Sequence, residues 1–238
     1  MGPVNPLQPK IVFLDAATYG DVSLDRFIER WPCTIHQVTS PHDVRQRLSG
    51  CTIAVTNKVV MDRAVLHAPQ ARYLKLIAVA ATGTDIIDRE AAGQLNVRVC
   101  NVPGYASQSV AQFTMALILE LATRVGLYAD AVKAGAWQRS PVFALLDFPT
   151  VELKEKKLGI VGYGNIGRTV AEMARSFGMK VLIAEHPGTE GTMPPGRISV
   201  EQLFREADIV TLHCPLTPQT KNLVNERSLS WMKPTAFL

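Results

Sequence analysis

The 238-residue sequence has little of what marks secreted, membrane-spanning or nucleic-acid-binding proteins. Its four cysteines, Cys33, Cys51, Cys100 and Cys214, are scattered without a Cys-x-x-Cys pair. This pattern argues against a disulfide framework or a cysteine metal site and favours reduced thiols in a cytoplasmic protein. No apolar run reaches the roughly 20 residues that cross a bilayer. The net charge of +4 comes without a basic cluster, so we expect no nucleic acid, membrane or metal among the partners.

What the chain does contain is a regular alternation of strand-like and helical segments. This alternation predicts an α/β protein built on parallel, doubly wound sheets. In the first part of the chain, strands are predicted at 10–15, 34–39, 52–57, 74–80 and 97–102. A long helical pattern covers 107–134, and a second alternating series follows with strands at 157–162, 180–185 and 208–213 and the opening of a fourth at 235–238.

The segment LGIVGYGNIGR (158–168) is the most informative motif of the chain. It reads as an apolar strand, a glycine turn and the start of a helix. In such a G-x-G-x-x-G turn, Gly162 closes the turn, Gly164 lets a pyrophosphate approach the backbone, and Gly167 lets the helix pack on the strand. Since a strand precedes the turn and a helical pattern follows it, the motif predicts a dinucleotide site.

Residues around this motif refine the prediction. Glu185 ends the next strand, KVLIAE, where a carboxylate would bind both ribose hydroxyls of NAD and repel the extra phosphate of NADP. The amides of Asn165 and Ile166 would point at the pyrophosphate. Arg168 either adds positive charge there or is simply solvated. The predicted cofactor is therefore NAD.

Three stretches together resemble one family, the D-isomer-specific 2-hydroxyacid dehydrogenases. They are LGIVGYGNIG (158–167), EADIVTLHCPLTPQTKNLVN (206–225) and MKPTAFL (232–238), in this order and spacing. Within the family, residues 101–121 and 137–149 resemble the NAD-dependent glycerate dehydrogenase and hydroxypyruvate reductase group. The resemblance implies a flavodoxin-like substrate-side domain, here 1–102, and a Rossmann nucleotide-binding domain, here 103–238, with the active site between them.

The resemblance also implies a substrate-binding loop, which matches Ala81, Thr82 and Gly83 in the segment AATGTDIID. Backbone N–H groups of this loop would hold the substrate carboxylate, and the glycine would allow close approach of the backbone. The alternative interpretation is an ordinary glycine turn before a helix.

Near the nicotinamide, the resemblance places a helix start whose matching residues here are Ser107, Val110 and Thr114. Around the adenine and its ribose it places His213, Cys214 and Pro215, and it gives Thr220 a contact with the cofactor phosphates or ribose. The alternatives are helix capping and packing. No base is identifiable beside Cys214, so we interpret it as a packing residue rather than a nucleophile.

The family's catalytic groups are an Arg, a Glu and a His, and the Arg belongs to an Asn-x-x-Arg-Gly run. The resemblance implies that this run would begin just after Leu238 and that the Glu and His would come later still. None of the three is therefore expected within the 238 residues. We expect a C-terminal truncation that leaves both domains incomplete, because the predicted sheet stops inside its fourth strand.

The resemblance implies reduction of hydroxypyruvate or glyoxylate to D-glycerate or glycolate, and a homodimer for the complete protein. The 238 residues alone would bind NAD(H) without catalysing hydride transfer. Two alternatives are a non-catalytic NAD(H)-sensing protein and an inactive gene fragment.

Overall fold

The computed structural model describes residues 8–188 and 194–238, and the chain divides into two compact units. The first unit is Met1–Tyr105 and the second is Ala106–Leu238. The sequence placed the boundary slightly earlier, after Val102. The role of each unit as a domain of the enzyme stays a prediction.

The first unit contains a five-stranded sheet in the order β2-β1-β3-β4-β5, in which all neighbours are parallel. Its strands are β1 (Ile11–Phe13), β2 (Cys33–Ile35), β3 (Ile53–Thr56), β4 (Leu76–Val79) and β5 (Arg98–Cys100). The helices between them are α1 (Asp25–Ile28), α2 (Val44–Arg47), α3 (Arg63–Leu66) and α4 (Arg89–Gln94). The predicted flavodoxin-like order is thus present, with strands shorter than the apolar runs suggested.

The two faces of this sheet differ in burial. Ala54, Ile77 and Val79 are fully buried and belong to one cluster with side chains of α2, α3 and α4. Ile53 and Leu76, which alternate with them along β3 and β4, are only half-buried. Since side chains of a strand point alternately to opposite faces, the main core of this unit lies on one side of the sheet.

The second unit contains a three-stranded parallel sheet in the order β7-β6-β8. Its strands are β6 (Lys157–Val161), β7 (Lys180–Ile183) and β8 (Ile209–Leu212). The helices are α5 (Ser107–Thr123), α6 (Val125–Lys133), α7 (Ala136–Arg139), α8 (Asn165–Ser176), α9 (Val200–Glu206) and α10 (Glu226–Ser230). Phe237 makes an isolated parallel bridge to Ile209, where the sequence predicted the start of a fourth strand.

The single helix predicted over 107–134 is wrong, because the chain breaks at Arg124. This residue has a left-handed φ of 57° and ends α5. The carboxylate of Glu120 then accepts a hydrogen bond from Gly126 N at 3.1 Å, which satisfies a backbone donor at the start of α6. The apolar periodicity continues through the break, so the pattern alone did not reveal it.

Within the described ranges no single helix has the length and apolarity needed to cross a membrane, and α5 and α6 meet those criteria only as a pair bent by 62°.

Candidate functional site

The glycine turn of the second unit connects β6 to α8. Gly162 directly follows β6 and has a φ of 96°, a backbone conformation that residues other than glycine rarely adopt. A Cβ atom at this position would stand 2.5 Å from the carbonyl carbon of His213, at the end of the neighbouring strand β8. The close passage of two backbones therefore requires glycine here.

The next two glycines shape the start of α8. Gly164 is the N-cap of this twelve-residue helix, and a Cβ added there would find nothing within 4 Å. Gly167 is buried in the first turn, where a Cβ would collide with the carbonyl oxygen of Gly162. Asn165 and Ile166 are the first two helical residues. The result is an open, uncapped helix start on tightly packed backbone, which fits a pyrophosphate group.

Arg168 lies in the first turn of α8, and its side chain contacts the glycine turn and the helix start. Its guanidinium donates to the Asn165 side-chain oxygen at 2.9 Å and to the Tyr163 carbonyl at 3.4 Å. The side chain thus places a positive charge beside the helix start, although it is exposed to solvent.

Glu185 follows β7 by two residues. Its backbone N–H donates to the Ile198 carbonyl at 2.8 Å, next to the bridge between Ala184 and Ile198. The residue is half-buried, and no ion pair of its carboxylate is found among residues 8–188 and 194–238. The carboxylate can therefore accept hydrogen bonds from a ribose diol.

The segment after β8 faces the glycine turn. The His213 ring contacts the Thr211 hydroxyl at 3.0 Å, and burial lowers the pKa of His213 below its ordinary value. Pro215 and Thr220 belong to a loop that is closed on itself. The Thr220 hydroxyl donates to the Pro215 carbonyl at 2.6 Å and accepts from Thr217 N at 2.7 Å. Thr220 is 8% exposed, so its observed contacts serve the loop.

Cys214 is a free, half-buried thiol. It packs against the apolar cluster that contains Val161 and Leu203, in keeping with its interpretation as a packing residue. In the described part of the chain, no group of three or more His, Cys, Asp or Glu side chains could hold a metal ion.

The loop with Ala81, Thr82 and Gly83 lies in the first unit, directly after β4. Its backbone is fixed by the segment after β5: Val102 N donates to the Ala81 carbonyl at 3.0 Å, and the Asn101 amide donates to the Thr82 carbonyl at 2.7 Å. Sequence reasoning missed Asn101. An amide side chain just past a strand, near a glycine-containing loop, was the available signal.

The residues matched to the nicotinamide end lie on α5. Ala106 is the N-cap of this helix, and the Ser109 hydroxyl donates to the Ala106 carbonyl at 3.1 Å. The Thr114 hydroxyl donates to the Val110 carbonyl at 2.8 Å, one helical turn back. Val110 is 37% exposed.

The sequence also missed a buried carboxylate in the first unit. Asp15 is 4% exposed and follows β1. It accepts hydrogen bonds from Asn57 N at 3.0 Å and from Lys58 N at 2.6 Å, both just after β3, and from the Tyr19 hydroxyl at 3.1 Å. Burial, followed by the neighbouring carboxylate of Asp15, raises the pKa of Tyr19.

Comparison with known proteins identifies one family. Residues 115–238 match the family model described as "D-isomer specific 2-hydroxyacid dehydrogenase, NAD binding domain". A glycerate dehydrogenase from Methylorubrum extorquens is 36% identical over 232 residues, which cover 96% of this chain and 71% of that protein. A hydroxypyruvate reductase from Blautia hydrogenotrophica is 34% identical, covering 94% and 71%. The crystal structure of D-lactate dehydrogenase from Aquifex aeolicus, complexed with NAD and lactic acid, aligns with a TM-score of 0.77 at 26% identity, covering 94% and 66%.

Proposed function

The chain belongs to the D-isomer-specific 2-hydroxyacid dehydrogenase family, and we propose that its substrates are hydroxypyruvate or glyoxylate and the corresponding D-glycerate or glycolate. As a member of this family, the protein is an NAD-dependent oxidoreductase acting on CH–OH donors. The observation that carries the proposal is the glycine turn after β6, which leaves the start of α8 open, with the Glu185 carboxylate just past the end of the neighbouring strand β7.

NAD, when bound, supplies the hydride acceptor of the oxidative direction. The residues of this chain would bind and orient it. Amides at Asn165 and Ile166 meet the pyrophosphate, and Glu185 accepts hydrogen bonds from the adenosine ribose. His213, Cys214 and Pro215 border the adenine, with Thr220 keeping their loop closed. Ser107, Val110 and Thr114 on α5 are assigned to the nicotinamide end.

For the substrate, we assign the carboxylate to the backbone N–H groups of Ala81, Thr82 and Gly83. These side chains are small or absent, which suits a short 2-keto acid. The Asn101 amide supports the assignment, because its bond to the Thr82 carbonyl orients the peptide that follows. An amide cradle binds a carboxylate without a bulky cation.

Catalysis also needs a proton donor and a cation on the substrate carbonyl. The 238 residues contain no Asn-x-x-Arg-Gly run. We therefore propose that residues 1–238 by themselves bind NAD(H) but do not transfer hydride at a useful rate. The cytoplasmic location expected from the cysteine pattern stays a prediction.

The test measures binding and turnover separately on the 238-residue chain. NADH fluorescence titration should give saturable binding, whereas NADH oxidation with hydroxypyruvate, glyoxylate, pyruvate and a branched 2-keto acid should stay at the level of the buffer. Calorimetric titration should show that glyoxylate and hydroxypyruvate bind to the chain more tightly than analogues that lack the carboxylate, and equal affinities would contradict the substrate assignment. Turnover by the chain alone would overturn the proposal of inactivity.

A homodimer through the second unit is part of the proposal. Large apolar side chains are exposed on α5 and in the loop that follows α7: Phe113 at 67%, Phe143 at 95% and Leu146 at 82%. A surface of this kind is characteristic of protein interfaces. The complete protein should sediment as a dimer, and Phe113→Ser should shift it towards monomer. A stable monomer of the complete protein at micromolar concentration would contradict the assignment.

A further inference from the structure

Arg197 lies beside the candidate adenosine end of the cofactor site. It directly precedes Ile198, which bridges to Ala184 at the end of β7. Its guanidinium donates to the Ala184 carbonyl at 2.8 Å, so it sits against the peptide that leads into Glu185. The side chain thus reaches across the end of β7 rather than out into solvent.

The same guanidinium also contacts the glycine turn. Its carbon lies 5.9 Å from the ring centre of Tyr163, the residue between Gly162 and Gly164. Stacking of this kind is a weak attraction, but together with the hydrogen bond to Ala184 it holds the guanidinium in position by two contacts. Arg197 therefore spans the two backbone segments between which the adenosine ribose would lie.

Arg197 and Glu185 carry opposite charges but do not form an ion pair with each other. Within residues 8–188 and 194–238, no ion pair joins Arg197 to Glu185, and the bond to Ala184 is the one hydrogen bond found for the guanidinium. An arginine carries five N–H donors in a planar fork that suits phosphate. A cation with donors to spare is thus held at the carbonyl of Ala184, one residue before the carboxylate of Glu185, which would repel a 2′-phosphate.

We propose that Arg197 determines cofactor selectivity by offering the 2′-phosphate of NADPH a partner, so that the protein binds NADPH as well as NADH. The proposal rests on the proposed function, since it takes Glu185 as the ribose ligand. Glu185 favours the free diol of NADH, and Arg197 offsets part of its repulsion of the phosphate. Selectivity is then set by two residues on adjoining segments rather than by the carboxylate alone.

The test is a set of NADH and NADPH titrations followed by fluorescence, which need no turnover. Arg197→Met keeps an apolar stem on Tyr163 but removes the charge, and it should weaken NADPH binding about tenfold while changing NADH binding less than about twofold. Arg197→Lys should retain most of the NADPH affinity. Added salt should weaken NADPH binding to the wild type more than to Arg197→Met.

Arg205→Met is the matched control. It removes an arginine from α9 that pairs with Glu201 at 2.8 Å and touches no part of the site, so both affinities should stay unchanged. Equal loss of NADH and NADPH in Arg197→Met would mean that Arg197 only holds the turn, and would overturn the proposal. Wild type that binds NADH but not NADPH would overturn it too. Failure of the wild type to bind NADH would instead contradict the proposed function.

Discussion

The first strand of each sheet, β1 and β6, lies between two parallel neighbours, and the chain leaves its carboxyl end differently in the two units. After β1 comes Asp15, whose carboxylate accepts hydrogen bonds from the N–H groups of Asn57 and Lys58, just after β3. After β6 comes Gly162, which has no side chain and lies against the backbone at the end of β8.

Both positions are crevices where the strand order reverses, the usual ligand site of open α/β sheets. In the first unit, an internal anion already occupies the backbone donors of the crevice. In the second unit, glycines keep the helix start open to an external anion. Strand order therefore provides the crevice, whereas the one or two residues after the first strand decide whether a phosphate can enter.

The largest effect is expected from closing the open crevice with Gly162→Ala. The new Cβ requires a left-handed φ and meets backbone at the end of β8. We expect a loss of about 4 kcal/mol in the free energy of unfolding, since strained φ and forced backbone shifts each cost about 1–3 kcal/mol. Urea denaturation measures it. Gly196→Ala, also at positive φ but with open space around it, should cost clearly less.

Emptying the filled crevice with Asp15→Ala comes next. It removes the acceptor of two backbone N–H groups and of the Tyr19 hydroxyl. Hydrogen bonds to charged groups contribute about 1.5–3 kcal/mol each, so we expect a loss of about 3 kcal/mol in stability. NADH affinity of the folded variant should stay the same.

Asp130→Ala serves as the control for this variant, because Asp130 is exposed and forms an ion pair with the exposed Lys133. Exposed pairs contribute little to stability, so its unfolding midpoint should match the wild type. If Asp15→Ala were as stable as Asp130→Ala, the view of Asp15 as the internal anion of the first crevice would be wrong.

Glu185→Gln tests the ribose end of the open crevice. The amide keeps the shape but loses the charge that attracts the ribose hydroxyls, so NADH should bind about tenfold more weakly, or about 1.4 kcal/mol. Calorimetric titration measures the change. Glu201→Gln, on α9, should leave the affinity unaltered, and an equally large loss there would point to a general charge effect.

The smallest effect concerns pH. Burial lowers the pKa of His213 below its ordinary value of 6.5, so the folded state binds fewer protons than the unfolded state as pH falls. The contribution of His213 is thus fully present above pH 6.5 and is lost progressively below it. The unfolding midpoint of His213→Asn should depend less on pH between about 7 and 5. Burial also lowers the pKa of His36, so this residue should retain part of the pH dependence of the unfolding midpoint in the variant. An unchanged slope would contradict this role of His213.

Much of the fold could be predicted from the sequence pattern, and the features that could not be predicted have physical causes. The family, the fold class and NAD as cofactor were predicted from motifs and are confirmed. Gly162 and Gly167 were identifiable because their role is a backbone requirement that only glycine meets, and Gly164 because it completes the spacing of the motif. The individual site contacts and the domain boundary stay predictions.

Other features depend on contacts between distant residues. Asp15 gives no local signal, because its partners Asn57 and Lys58 come together with it only when β1 pairs with β3. The break at Arg124 is hidden because apolar spacing continues across it. Arg197 contacts Ala184 and Tyr163, which only the fold brings within its reach.

If the open crevice of the second unit binds the dinucleotide, as we propose, Gly164→Ala should block this binding. The added Cβ meets nothing within 4 Å of the protein, so folding should be unaffected, but it would occupy the space of the pyrophosphate. Gly93→Ala, a similarly open glycine on α4 of the first unit, is the matched control. Calorimetry should show wild-type NADH affinity for Gly93→Ala and a loss of about tenfold or more for Gly164→Ala. Equal NADH affinity in both variants, with both folded, would contradict the account.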